Sequence, residues 1–85
     1  MKLTFKNSAV VEDFFDLAEN RALFKKLKDL LKDIDRHPFT EIGKPEKLKG
    51  RPGEWSRRID DYHRLVYEIK DDEITITECG GHYEG

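Results

Sequence analysis

Cysteine is nearly absent: Cys79 alone stands in 85 residues, so no internal disulfide can brace the fold. A lone thiol suits a reducing cytoplasm, which is the expected location. No apolar run reaches the length of a membrane span or a signal-peptide core, so a soluble chain with no membrane partner is expected. Metal ligands are also thin. His37, His63 and His82 are scattered, and no His, Cys or carboxylate cluster has metal-binding spacing, so neither a metal nor another cofactor is expected. Repeats and low-complexity segments are missing too. Residues 1–85 are therefore expected to form one small domain around a modest core.

What the chain does have is charge. Asp, Glu, Lys and Arg make up 40% of it, against about 25% in an average globular protein, so most of the surface must be ionic. The net charge of −2 argues at first against a nucleic-acid partner. Its distribution argues the other way. Residues 1–41 balance to zero, residues 42–64 carry seven basic groups against four acidic ones, and residues 65–85 sum to −5. A local basic field can hold phosphate whatever the total charge.

The pattern of apolar residues gives the elements. "KLTFK" (2–6) alternates as a short strand. Ser8 is the expected N-cap of a first helix whose apolar residues are Val10, Val11, Phe14, Phe15, Leu17 and Ala18. Asn20 ends that helix and caps a second, over about 21–36, with Leu23, Phe24, Leu27, Leu30, Leu31 and Ile34 on one stripe. Pro38 stops it. Residues 37–53 hold three prolines and three glycines and read as a long loop, and long loops in small domains are often functional. Strands follow over 54–60, 63–70 and 73–79, the last two joined by a tight turn at Asp71-Asp72. The order βααβββ implies an α+β fold, with two helices packed on one face of a small twisted antiparallel sheet.

Strand alternation then locates a site. Trp55, Arg57 and Ile59 share one face, and Ser56, Arg58 and Asp60 the other. Placing Ile59 and Leu65 together under the helices requires paired residue numbers with an even sum, and a three-residue turn at 60–62 satisfies this and sets Arg58 opposite Arg64 on the open face. Two adjacent guanidiniums repel each other unless an anion sits between them. Leu65, Tyr67, Ile74 and Ile76 should then lie beneath the helices. Arg57 is expected to pair locally, Trp55 to anchor the strand start, and His63 and Cys79 to be structural.

In the loop, "GKPEKLKG" (43–50) sets Glu46 among Lys44, Lys47 and Lys49, with Arg51 next. The cations suit an RNA backbone, and their charge outweighs the repulsion between Glu46 and phosphate. Isolated among them, the carboxylate is placed to take a proton. RNA supplies its own nucleophile, the 2′-hydroxyl, so cleavage needs a base, cations for the crowded phosphorane and an acid for the departing 5′-oxygen. Glu46 can be the base, Arg58 and Arg64 the cations and His82 the acid.

"GKPEKLKG", "WSRRIDDYHRLVY" and the terminal "C..HY" together resemble the Txe/YoeB family of toxins within the RelE superfamily. The resemblance covers most of the chain, including "PF" at 38–39. It implies ribosome-dependent cleavage of mRNA in the ribosomal A site, inhibition of translation, and neutralisation by a YefM-type antitoxin; the sequence leaves a homodimer open. Carried over by motif, Glu46 is the general base, Arg64 the transition-state stabiliser and His82 the general acid, with Tyr83 beside it. The alternative is a toxin of the same fold that acts by binding a protein, as ParE-like toxins do. The joint presence of Glu46, Arg64 and His82 favours the nuclease.

Overall fold

The computed structural model describes residues 1–37 and 45–80. The expectations for Pro38, Phe39, Lys44, His82 and Tyr83 fall outside the described residues. The elements are β1 (Lys2–Phe5), α1 (Ser8–Ala18), α2 (Arg21–Arg36), β2 (Glu46–Lys47), β3 (Glu54–Arg58), β4 (Arg64–Lys70) and β5 (Glu73–Gly80).

Both helices start on an asparagine. Ahead of α1 the cap is Asn7, one residue before the expected Ser8: Asn7 is extended, and its Oδ1 accepts from the Val10 amide at 3.0 Å. Ahead of α2 it is Asn20, as expected, accepting from the Leu23 amide at 3.1 Å. Replacing Asn20 by alanine should cost about 1 kcal/mol and lower the melting temperature by about 4–8 °C in thermal unfolding.

The helices bury Val10, Phe14 and Leu17 of α1 and Leu27, Leu30 and Ile34 of α2, a spacing of three and four in each. The flanking aromatics of the predicted stripes fall off that line. Phe15 is 62% exposed and Phe24 40% exposed, the latter with the Lys28 ammonium 4.9 Å from its ring. Across the interface Ile59, Leu65, Tyr67, Ile74, Ile76 and Cys79 complete the core, so all four sheet residues expected beneath the helices are there.

The five strands lie in the order β1-β5-β4-β3-β2. The α+β class holds, with two additions to the expected sheet. First, β1 runs parallel to β5, from Lys2 opposite Glu73 to Phe5 opposite Ile76, so the sheet is mixed. Second, the loop contains a two-residue strand, β2, antiparallel to β3. The turn between β4 and β5 is tight, as expected, with Asp71 in the left-handed region at φ 57°, a conformation its short polar side chain tolerates.

One polar cluster reaches into the core. Arg57, fully buried on the helix side of β3, donates to the Asp33 carboxylate, to the His37 carbonyl at the end of α2 and to the Tyr67 hydroxyl. It ties the C-terminus of α2 to the sheet, where a cation also complements the helix dipole.

Candidate active site

The face of the sheet away from the helices is organised in rows by the strand register. In one row Arg58 of β3 stands directly opposite Arg64 of β4, the pairing expected from the three-residue turn, and Gly80 of β5 follows. Gly80 has φ 141°, a conformation that favours glycine, and an added Cβ would meet nothing within 4 Å. The next row runs Glu46, Ser56, Val66 and Glu78. Directly opposed residues share a face, so Glu46 joins the two arginines.

Strands about 4.8 Å apart, with residues about 3.3 Å apart along each, put the Glu46 and Arg64 Cα atoms about 12 Å apart. Their side chains close much of that gap. The Arg64 guanidinium leans out of its own row toward Glu46's direct neighbour, with Nη1 3.5 Å from Ser56 Oγ, the outer limit of a hydrogen bond. An exposed carboxylate and two half-buried guanidiniums thus share the face of the sheet on which the fully buried Ser56 lies.

The remaining predicted cations do not all converge there. Lys47 pairs with Trp55 and leaves the edge from the other face, and Lys49 is exposed in the turn that follows β2. Arg51 is held by two carboxylates: Nε and Nη2 donate to Glu54 at 2.8 and 2.9 Å, and Nη1 donates to Glu78 at 2.7 Å. Thr77 Oγ1 donates to the same Glu54 at 2.6 Å. Burial pushes the Glu54 carboxyl up, but the hydrogen bonds from Arg51 and Thr77 outweigh it and hold the group below its ordinary 4.5. Because that pKa is depressed by folding, the contribution of this cluster to stability is present above 4.5 and is lost as pH falls through the lowered value.

His63 and Cys79 behave as structural residues. The ring Nδ1 of His63 lies 3.0 Å from both Asp60 oxygens, and Asp60 also accepts from the backbone amides of Tyr62 and His63, closing the turn between β3 and β4. Burial pushes the Cys79 thiol up to about 12, so it carries no thiolate near neutrality.

The family model described as "YoeB-like toxin of bacterial type II toxin-antitoxin system" matches residues 5–83. The chain belongs to this family. Toxin YoeB of Streptomyces coelicolor is 47% identical over 85 residues, covering 98% of this chain and all of the relative. Among solved structures, the YoeB dimer of Staphylococcus aureus is 43% identical with a TM-score of 0.87, covering 98% of each chain. The YoeB–YefM complex of the same organism is 42% identical with a TM-score of 0.82, again covering 98% of each chain. As a YoeB-like toxin the chain is one component of a bacterial type II toxin-antitoxin system.

Two features of this YoeB-like site escaped the sequence reading. One is the engagement of Arg51 by Glu54 and Glu78. The other is the irregularity that permits it: Val66 faces Glu78 but the next residue, Tyr67, faces Ile76, which leaves Thr77 as the extra residue of a β-bulge. The sequence does carry a trace of the bulge. Ile74 and Ile76 alternate inward, yet the next buried apolar residue is Cys79, three positions on and out of phase.

Proposed function

We propose that this chain is a ribosome-dependent mRNA endonuclease that halts translation until a YefM-type antitoxin binds it. The observation that carries the reading is the Arg58–Arg64 pair beside Glu46 on one open face. Two like charges held side by side stabilise nothing in the folded chain, whereas a phosphate between them turns the repulsion into two charge-assisted contacts. Glu46 accepts the proton of the 2′-hydroxyl, whose oxygen attacks the adjacent phosphorus. Arg64, aided by Arg58, neutralises the phosphorane, and His82 gives a proton to the departing 5′-oxygen, with Tyr83 beside it. Gly80 lies opposite Arg64 and His82 follows two residues later in the chain, which favours this assignment of the acid. Lys44, Lys47 and Lys49 hold flanking backbone phosphates. The reaction draws its base, acid and cations from the chain itself, so the proposed mechanism requires no metal.

Translating ribosomes loaded with mRNA that carries a 2′-O-methyl group at the cut position test this reading. Unmodified mRNA should be cut to a 2′,3′-cyclic phosphate and a free 5′-hydroxyl, and the methylated analogue should bind and stay intact. Glu46→Gln should behave toward natural mRNA as the wild type does toward the analogue. Efficient cutting of the methylated mRNA would exclude 2′-hydroxyl attack and remove the role given to Glu46.

A further inference from the structure

Glu46 sits on the weakest strand of the sheet. β2 has two residues, and beyond its ladder with β3 the described backbone adds one bond, from the Leu48 amide to the Glu54 carbonyl at 3.0 Å. A short edge hairpin of this kind is marginal by itself. A general base needs a fixed position, because a displacement of about 1 Å can cost about 10² in rate. Something else must hold this edge in place.

Arg51 is placed to do so. It lies in the turn between β2 and β3, where its carbonyl accepts from the Glu54 amide at 3.1 Å. From there its guanidinium forks onto Glu54 of β3 and reaches Glu78 of β5, so it crosses β4, where Val66 is fully buried. The bulge makes the span workable. By inserting Thr77, it turns both Thr77 and Glu78 to the open face, and Thr77 Oγ1 then holds the Glu54 carboxylate from the other side. With side-chain exposures of 30% for Arg51 and 15% for Glu54, the fork is partly withdrawn from water and is more than a surface ion pair.

Its charge speaks against the role that Arg51 was expected to have in RNA binding. All three guanidinium nitrogens already donate to carboxylates, and one cation facing two anions leaves the cluster at −1. A backbone phosphate would have to displace a carboxylate and meet the other. We propose that Arg51, Glu54, Glu78 and Thr77 form a latch that locks the β2–β3 hairpin across the sheet, making Arg51 a positioning residue for Glu46 and not a phosphate ligand. This proposal rests on the endonuclease reading for its catalytic consequence, though the latch itself does not.

Amide hydrogen exchange and single-turnover cleavage on translating ribosomes, run on Arg51→Met, Arg51→Lys and Glu78→Gln, separate the two. In Arg51→Met, exchange at the Leu48 amide should rise and the cleavage rate should fall, each about tenfold, with KM within about twofold and the β4–β5 amides unchanged. Arg51→Lys should fall between wild type and Arg51→Met, because an ammonium cannot fork onto Glu54. Glu78→Gln should shift both readouts in the same direction by less. Unchanged Leu48 exchange in Arg51→Met, a loss confined to KM, or tighter RNA binding by Glu78→Gln would each overturn the latch. Absence of cleavage by the wild type would remove the endonuclease reading, and the exchange measurement would still decide whether the hairpin is held by Arg51.

Discussion

Arg64→Ala is expected to lower the cleavage rate by about 10²–10³ while shifting stability by no more than about 0.5 kcal/mol. The first figure is what removal of one transition-state donor typically costs. The second follows from the surroundings of Arg64. Its register partner is another arginine, so truncation relieves a repulsion, and its contact with Ser56 at 3.5 Å is too long to be a strong hydrogen bond. Single-turnover kinetics and thermal unfolding on the same preparation check both halves. A fall in melting temperature that tracks the fall in rate would mean that Arg64 supports the fold and not the reaction.

Arg57→Met should do the opposite. Arg57 has no exposed surface, and its removal takes a donor from the Asp33 carboxylate, the His37 carbonyl and the Tyr67 hydroxyl. Breaking a buried pair from one side costs about 3–5 kcal/mol, which for a domain of this size lowers the melting temperature by about 12 °C or more. Adding Asp33→Asn to Arg57→Met should recover part of the loss, since it removes the charge that Arg57 had balanced. Urea unfolding of both variants would show it, and a cost below about 1 kcal/mol for Arg57→Met would mean that the cluster is solvated in the native protein. Neighbouring arginines of one strand thus divide the work: Arg57 faces the helices and secures the fold, and Arg58 faces the open side with Arg64.

The division was legible because alternation and register are local rules. Once Ile59 and Leu65 were required to share the core, the sum of paired residue numbers had to be even, and a three-residue turn then set Arg58 opposite Arg64. Leu27, Leu30 and Ile34 were legible for a similar reason, since a 3.6-residue period names its own buried face. The partners of Arg57 and Arg51 were not. Asp33 lies 24 residues from Arg57 and Glu78 lies 27 from Arg51, and no periodicity links positions on different elements. The pairing of β1 was hidden likewise, because an alternating pentapeptide does not state which edge it joins or in which direction. Glu46 was singled out from its cationic neighbours and from the resemblance of its motif. Its place in a row with Ser56 came from a strand too short to be read from the sequence.

The parallel pairing of β1 with β5 links Lys2 to Glu73 and Leu3 to Ile74, the first strand of the chain to the last one described. A protein is made from its N-terminus, so the two helices emerge long before the strands they are to cover. Until β4 and β5 are synthesised, Leu27, Leu30 and Ile34 have no sheet to pack against, and β1 has no partner. Arg64 cannot face Arg58 before β4 pairs with β3, and β1 cannot dock before β5 exists. Closing so long a span adds loop entropy and slows the final step. On the proposed reading, a growing chain therefore carries Arg58 and Arg64 before they can face each other as a site. If the proposed activity holds, the ribosome that makes the chain is spared until β4 has paired with β3.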